Sequence, residues 1–131
     1  MARHLAAVSL LVHDYDEAIA FFTRALRFTL LEDTPLGAGK RWVIVSPGPR
    51  GASLLIARAS DDVQRAAVGR QAGGRVFLFL HSTDLDADVA HMQAHGVRFA
   101  ETPRDEVYGR VVVFFDLCGN KWDLIQPKEP A

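Results

Sequence analysis

The sequence predicts an α+β fold made of two tandem β-α-β-β-β modules, and three observations support this prediction. Buried apolar runs end at Asp14 and at Asp84, and each aspartate precedes apolar residues at helical spacing. The second half of the chain repeats the first half at a constant shift. The chain closes with a strand, a tight turn and a second strand over residues 114–125.

The internal repeat appears as a shift of 70 positions between the two halves. The matched pairs are Asp14 with Asp84, Asp16 with Asp86, Ile19 with Val89, Ala20 with Ala90, Phe22 with Met92, Val43 with Val113 and Leu54 with Leu124. Chance does not readily produce matches at so many structural positions. They indicate a duplicated unit, which is distinct from a short solenoid repeat.

The first module is predicted to hold one long helix and four strands. The helix spans 15–26, where the apolar residues form a single stripe. The strands are expected at 4–13, 27–33, 41–46 and 53–58. Breaker residues over 47–51 form the turn between the last two strands. A short helix from Ser60 to about Arg70 then leads to the second module.

The second module is predicted to follow the same plan. Its helix spans 85–95 and ends at Gly96. Its strands are expected at 75–83, 97–101, 110–116 and 121–126. The prediction is therefore one domain over 1–131, with modules at 4–58 and 75–126 joined by a helical linker at 60–74.

The closing turn sets the direction of the last side chains. Asp116 can accept backbone N–H groups within the turn, and Gly119 and Asn120 are the residue types that most readily take positive φ there. Trp122 and Leu124 then point to one face of the final strand. Asp123 points to the other face, so its surroundings bear directly on function.

Composition excludes several functional classes. The formal net charge is −1, and lysine and arginine are scattered rather than gathered in a basic stripe, so we expect no nucleic-acid partner. No stretch is long and apolar enough to span a membrane, and the N-terminus lacks a signal-peptide core. The single cysteine, Cys118, cannot form an intrachain disulfide, so a cytoplasmic location is expected.

Two segments resemble the glyoxalase / bleomycin-resistance / extradiol-dioxygenase superfamily, whose members are also called vicinal oxygen chelate proteins. They are residues 8–22 (VSLLVHDYDEAIAFF) and residues 116–124 (DLCGNKWDL). The resemblance extends over nearly the whole chain. It implies two β-α-β-β-β modules whose sheets curve into an incomplete barrel, a site in the concave cavity, and a homodimer.

The resemblance also implies where a metal would bind. Metal-dependent members take His, Gln or Glu ligands from concave positions on the first and fourth strands of each module. Carried over by motif, these positions are Ala7, Ser53, Phe77 and Asp123. Alanine and phenylalanine have no donor, serine is a poor ligand, and one carboxylate does not hold a catalytic metal against solvent. We therefore expect no metal and no other cofactor.

Several residues are candidates for lining a small-molecule pocket. Strand periodicity places Phe77, Phe79 and His81 on one face, and the repeat makes Ser53 equivalent to Asp123. Trp42 is a further candidate for the wall or rim. Aromatic walls with a few polar groups are typical of small-molecule sites. The ordinary alternatives are that the phenylalanines fill the core and that His81 only bonds to backbone at a strand end.

The charge of Asp123 raises a separate question. A carboxylate within a curved sheet should be paired or should have a raised pKa, and Arg75, Arg110 or Arg41 could supply the partner. His91 and His95 also lie at helical spacing, and we expect them to face solvent rather than to form a metal site.

Three functions remain open from the sequence. The first is a metal-free protein that binds a small, partly aromatic molecule in the concave cavity. The second is a divergent enzyme, a lyase, isomerase or dioxygenase relative, that uses Asp123 and His81 as acid and base or with an unconventional divalent metal. The third is a structural protein whose cavity is filled by side chains.

Overall fold

The computed structural model describes residues 2–128, which form two compact units. The first unit extends to Gly69 and the second begins at Arg70. The first contains β1 (Ala7–Val12), α1 (Tyr15–Ala20), a π-helical turn (Phe21–Ala25), β2 (Thr29–Gly37), β3 (Lys40–Ser46), β4 (Ser53–Arg58) and α2 (Asp62–Ala67). The second contains β5 (Val76–His81), α3 (Leu85–Ala94), β6 (Arg104–Glu106), β7 (Gly109–Phe115) and β8 (Lys121–Pro127).

Both units contain the same four-stranded mixed sheet. The strand order is β1-β4-β3-β2 in the first unit and β5-β8-β7-β6 in the second. In each, the first and fourth strands are parallel and the remaining pairs are antiparallel. The predicted α+β fold with two β-α-β-β-β modules is confirmed. The helical segment α2 lies within the expected linker range and belongs to the first unit.

The strand predicted at 97–101 is wrong. Phe99 forms only an isolated bridge with Phe114, and the edge strand of the second sheet is β6 instead. Two backbone hydrogen bonds flank this bridge, from the N–H of Phe115 to the Arg98 carbonyl oxygen (2.9 Å) and from the N–H of Ala100 to the Val113 carbonyl oxygen (3.0 Å). The pairing stops there because the N–H of Val113 donates to a carboxylate oxygen of Glu101 (3.1 Å) and not to a backbone carbonyl. A side chain thus replaces the ladder bond that a strand at this position would need.

The first predicted helix has a change of winding within it. Its α-helical part ends at Ala20, and a π-helical turn continues to Ala25. The Thr23 hydroxyl donates to the Ile19 carbonyl oxygen (2.7 Å), and Arg27 then takes a positive φ of 58°. The aspartate caps are confirmed, since Asp14 accepts from the N–H of Glu17 (2.8 Å) and Asp84 from that of Ala87 (3.2 Å).

One face of each sheet is buried under its helix. The core of the first unit includes Leu10, Val12, Tyr15, Ala18, Phe22, Val43, Val45, Leu54 and Ile56. The core of the second unit includes Leu85, Val89, Met92, Val112, Phe114, Trp122 and Leu124. The core residues that belong to strands alternate along those strands. The side chains between them therefore lie on the opposite, open face of the same sheet.

One arginine in each unit links the helix to the sheet. Arg41 on β3 pairs with Asp16 of α1 (3.0 Å) and Asp33 of β2 (2.6 Å). Arg110 on β7 pairs with Asp86 of α3 (3.1 Å) and Asp105 of β6 (3.2 Å). The duplicated module therefore conserves an arrangement in which one guanidinium joins a first-turn aspartate to an aspartate on the edge strand.

The turn between β7 and β8 is built on the buried carboxylate of Asp116. Its Oδ1 accepts from the N–H groups of Cys118 (2.9 Å) and Asn120 (3.1 Å), which confirms the predicted backbone bonds. Its Oδ2 accepts from the Asn120 side-chain amide (3.1 Å) and from the Trp122 indole Nε1 (2.9 Å). Gly119 takes a positive φ of 96°, as expected from its position in the turn.

The helices of the described part of the chain do not meet the requirements for a membrane span. Between residues 2 and 128, no helix has the length and apolar character needed to cross a bilayer.

We predict that Trp122→Phe lowers the free energy of unfolding by about 1–3 kcal/mol, because it removes the indole donor to the buried Asp116 carboxylate while keeping an aromatic ring against Phe114. Urea denaturation provides the measurement. Trp42→Phe is the matched control, since Trp42 is 42% exposed, and its effect should stay within about 0.5 kcal/mol. Equal effects of the two substitutions would contradict the role given to the Asp116 turn.

Candidate functional site

The open face of the second sheet places an aromatic ring beside a carboxylate. Phe79 on β5 and Val113 on β7 are the direct cross-strand partners of Asp123 on β8. Direct partners on neighbouring strands project to the same face of a sheet, so the three side chains form one row. Phe79 is 63% exposed and Asp123 is half-buried. This row is available to a ligand from the open side of the sheet.

His81 lies on the same face as this row, closer to the end of β5. It is paired with Ile125 and lies two residues beyond Phe79, so its exposed side chain shares the face of Phe79 and Asp123. Strand periodicity had placed His81 and Phe79 on one face, and the register of β5 against β8 adds Asp123 to them. Phe79, His81 and Asp123 therefore form one group within the second unit.

Phe77 occupies a different position from the one that the repeat implied. The pairing of β5 with β8 shifts register between Val76 and Leu78, at Phe77. In the first unit, Ala7 pairs directly with Ser53, and the 70-residue shift would pair Phe77 with Asp123 in the same way. The irregularity puts Phe79 there instead, while Phe77 is half-buried beside the register shift.

Ser53 and Trp42 belong to the first unit. Ser53 is half-buried, and its N–H donates to the Ala6 carbonyl oxygen (3.0 Å) at the start of the β1–β4 pairing. Trp42 on β3 pairs with Thr34 on β2 and is exposed. Both alternate with the buried core residues of their strands, so both lie on the open face of the first sheet.

The electrostatic surroundings of Asp123 favour its protonated form. Burial removes water from the carboxyl group and raises its pKa. The positive charge of Arg104 opposes this shift, and the negative charge of Glu101 adds to it. The Asp123 carboxyl group makes no side-chain hydrogen bond within the described part of the chain. Its carboxyl oxygens therefore remain available to a ligand.

Arg104 is the basic residue near Asp123, so the expectation of Arg75, Arg110 or Arg41 as its partner is wrong. Arg41 and Arg110 hold the aspartates that join each helix to its sheet. Arg104 is itself shared, because it pairs with Glu101 and with Glu106, the latter at 3.1 Å. Sequence reasoning missed both residues, because Glu101 lies in the segment wrongly predicted as a strand and Arg104 lies in β6, which was not predicted.

The residues present do not fit the metal site of the metal-dependent relatives. Of the positions implied by the resemblance, Ala7 lies beside Ser53, and the place next to Asp123 is taken by Phe79. These pairs provide no imidazole and only one carboxylate, which is too few strong donors for a divalent ion. Among residues 2–128, no group of three or more His, Cys, Asp and Glu side chains is arranged to hold a metal ion.

The sequence and the fold together define the class of protein. Residues 4–124 match the model of the Glyoxalase/Bleomycin resistance protein/Dioxygenase superfamily, and the chain belongs to this superfamily.

Individual relatives show how far the likeness extends. An uncharacterized protein of Shewanella frigidimarina (strain NCIMB 400) is 50% identical over 128 residues, covering 96% of this chain and 95% of that protein. The crystal structure of TnmS3, an antibiotic binding protein from Streptomyces sp. CB03234, is 32% identical with a TM-score of 0.78, covering 98% of this chain and 99% of that one. The crystal structure of UcmS2 is 26% identical with a TM-score of 0.82, and the match covers 95% of this chain and 98% of that one.

We predict that Asp123→Asn becomes more stable relative to the wild type as pH rises. The raised pKa means that folded protein keeps the Asp123 proton above the unfolded-state value of about 3.9, so ionisation lowers wild-type stability as pH rises through the folded-state pKa. Asparagine does not titrate and avoids this loss.

Urea denaturation across the acidic to neutral range measures the difference between Asp123→Asn and the wild type. Asp62→Asn, which removes one exposed charge from α2, is the control for a change in net charge. A stability of Asp123→Asn relative to the wild type that stays constant or falls with rising pH would contradict the electrostatic account of this site.

Proposed function

We propose that the protein binds a small, partly aromatic molecule against the open sheet face that carries Phe79, His81 and Asp123, without a metal at the positions used by its metal-dependent relatives. The observation that carries the proposal is the pairing of Phe79 with Asp123 across β5 and β8. An aromatic ring that is 63% exposed lies next to a half-buried carboxyl group that has no hydrogen bond to another described residue.

The chemistry of this row suggests the shape of the ligand. A flat apolar group could stack on Phe79, and such aromatic contacts contribute about 0.5–1.5 kcal/mol beyond area burial. Asp123 could accept a hydrogen bond from the ligand or pair with a cationic group on it, and His81 could bond a second polar group. A flat body that carries a donor or a positive charge fits these three residues best.

The charges around the row also favour a cationic group. Glu101, Glu106 and Asp123 provide three carboxyl groups, and Arg104 is the basic residue that interacts with them. A positive group near Asp123 would favour the ionised carboxylate and so oppose the effect of burial. Binding of such a ligand should therefore release the Asp123 proton and weaken as the solution becomes more acidic.

The comparison with TnmS3 supports a binding role. That protein is an antibiotic binding protein, and it shares 32% of its residues with this chain over nearly the full length of both. Ser53, Phe77 and Trp42 remain further candidates for ligand contact in the proposal. We also propose that the protein lies in the cytoplasm and has no nucleic-acid partner, because its sequence has a single cysteine and scattered basic residues.

A second candidate function is a divergent enzyme, and one observation favours it. A raised carboxyl pKa is a property of acid–base residues, and the pKa of Asp123 is raised by burial. In this case Asp123 and His81 would exchange protons with a bound substrate. Turnover that is lost in Asp123→Asn while ligand binding persists would favour the enzyme over the binding protein.

We predict that Phe79→Ala weakens binding of planar aromatic compounds by roughly twofold to tenfold in Kd. Asp123→Asn should weaken a cationic aromatic amine more than a neutral compound of the same shape. Thermal shift with a matched cationic and neutral panel, followed by calorimetric titration, measures both effects. Val63→Ala, at an exposed apolar residue of α2, is the control and should change neither affinity.

The panel also distinguishes the alternatives. If no compound raises the unfolding midpoint of the wild type, the binding function fails and a purely structural role is favoured. If aromatic compounds bind but Asp123→Asn affects cationic and neutral members equally, the binding function stands and the preference for cations fails.

We further propose that the protein forms a homodimer. The edge strand β2 is exposed along all nine residues and includes Leu30, Leu31 and Leu36. A long edge with apolar side chains is normally covered by another chain or segment. Sedimentation velocity at micromolar concentration should show a dimer, and a monomer under these conditions would contradict the proposal.

A further inference from the structure

The last turns of α3 bring two histidines together on one side of the helix. His91 and His95 are four residues apart, and their ring centroids are 4.4 Å apart with an interplanar angle of 40°. Residues at this spacing are neighbours on a helix surface. Their spacing alone led to the expectation that they face solvent rather than form a metal site. The ring geometry adds that the two imidazoles already lie side by side.

We propose that His91 and His95 form a two-histidine site for a transition-metal dication, with Cu²⁺ bound more tightly than Zn²⁺. Imidazole nitrogen is a suitable ligand for both ions, and two histidines at this helical spacing are a known way to bind zinc from one face. This site is separate from the row of Phe79, His81 and Asp123 and does not depend on its function.

The distance between the two rings is close to the distance expected in a chelate. A metal ion about 2.0–2.1 Å from one nitrogen of each ring would hold the ring centroids about 4.5–5 Å apart for ordinary bond angles at the metal. The centroid separation of 4.4 Å is near this range, so the two rings are already close enough to share one ion. The protein provides two ligands, and water or an added small ligand completes the coordination.

The location on α3 also suits a cation. The helix ends at Ala94, and His95 is its C-cap residue. Carbonyl groups at a helix C-terminus carry partial negative charge, which favours a positive ion nearby. His95 is exposed and His91 is half-buried, so an ion can reach the pair from solvent. The backbone is held here, since the His95 N–H donates to the carbonyl oxygens of His91 (3.2 Å) and Met92 (3.1 Å).

The test is calorimetric titration of tag-free protein with CuCl₂ and with ZnCl₂. We expect binding of one equivalent, with Cu²⁺ the tighter ion. His91→Ala and His95→Ala should each abolish this binding event, and the double variant should add no further loss. His81→Ala, which removes an exposed histidine outside α3, should leave it unchanged.

A composition-matched control separates the pair from histidine content in general. Exchanging positions 93 and 95, by Gln93→His together with His95→Gln, keeps the number of histidines but places the two rings two residues apart. Residues at that spacing do not face each other on a helix, so binding should be lost. Retained binding in this variant would overturn the proposal.

Paramagnetic broadening by substoichiometric Cu²⁺ locates the ion independently of affinity. Backbone resonances of the last turn of α3 should broaden before those of β8. Broadening centred on Asp123, or no bound equivalent in the wild type, would also overturn the proposal. Circular dichroism of each variant confirms that α3 is still folded, so that loss of binding is not loss of the helix.

Discussion

The closing strands of the second unit depend on the four hydrogen bonds accepted by the buried carboxylate of Asp116. Two come from backbone N–H groups in the turn, and two come from the side chains of Asn120 and Trp122. A buried carboxylate is costly unless it is satisfied, so these donors must keep their places. The indole bond links the turn to the core face of β8, and the alternation of β8 then directs Asp123 to the opposite, open face.

The charged side chains on the two faces of the sheets differ in how fully they are paired. On the helix side, Arg41 and Arg110 each hold two aspartates, and the nearby carboxylates of Asp33 and Asp86 are the largest causes of the raised pKa of their guanidinium groups. These ion pairs join helix to sheet and are already satisfied. On the open face of the second sheet, carboxyl groups outnumber the single guanidinium that they share. Charge that is satisfied within the fold supports structure, and charge that is not satisfied remains available for recognition.

The duplicated units show how one framework carries different side chains at equivalent positions. Ala7 pairs with Ser53 in the first sheet, whereas Phe79 pairs with Asp123 in the second after the shift in register at Phe77. The superfamily fold is retained although the usual metal ligands are missing from these positions. A fold of this kind is a scaffold, and the side chains on its open sheet faces determine which chemistry it performs.

The sequence by itself determined the repeated β-α-β-β-β plan, the two aspartate caps, the core faces and the turn at Asp116, because these follow from local periodicity and short-range hydrogen bonds. The tertiary structure alone decided which charges act on Asp123. Arg104 on β6 pairs with Val111 of β7, and Glu101, in an irregular segment, accepts from the N–H of Val113 of β7. The tertiary structure also decided that Phe79 and not Phe77 lies beside Asp123. The register of β5 against β8 depends on pairing between residues more than forty positions apart in the chain. A single irregularity in β5 changes this register, and no pattern in the local sequence predicts it.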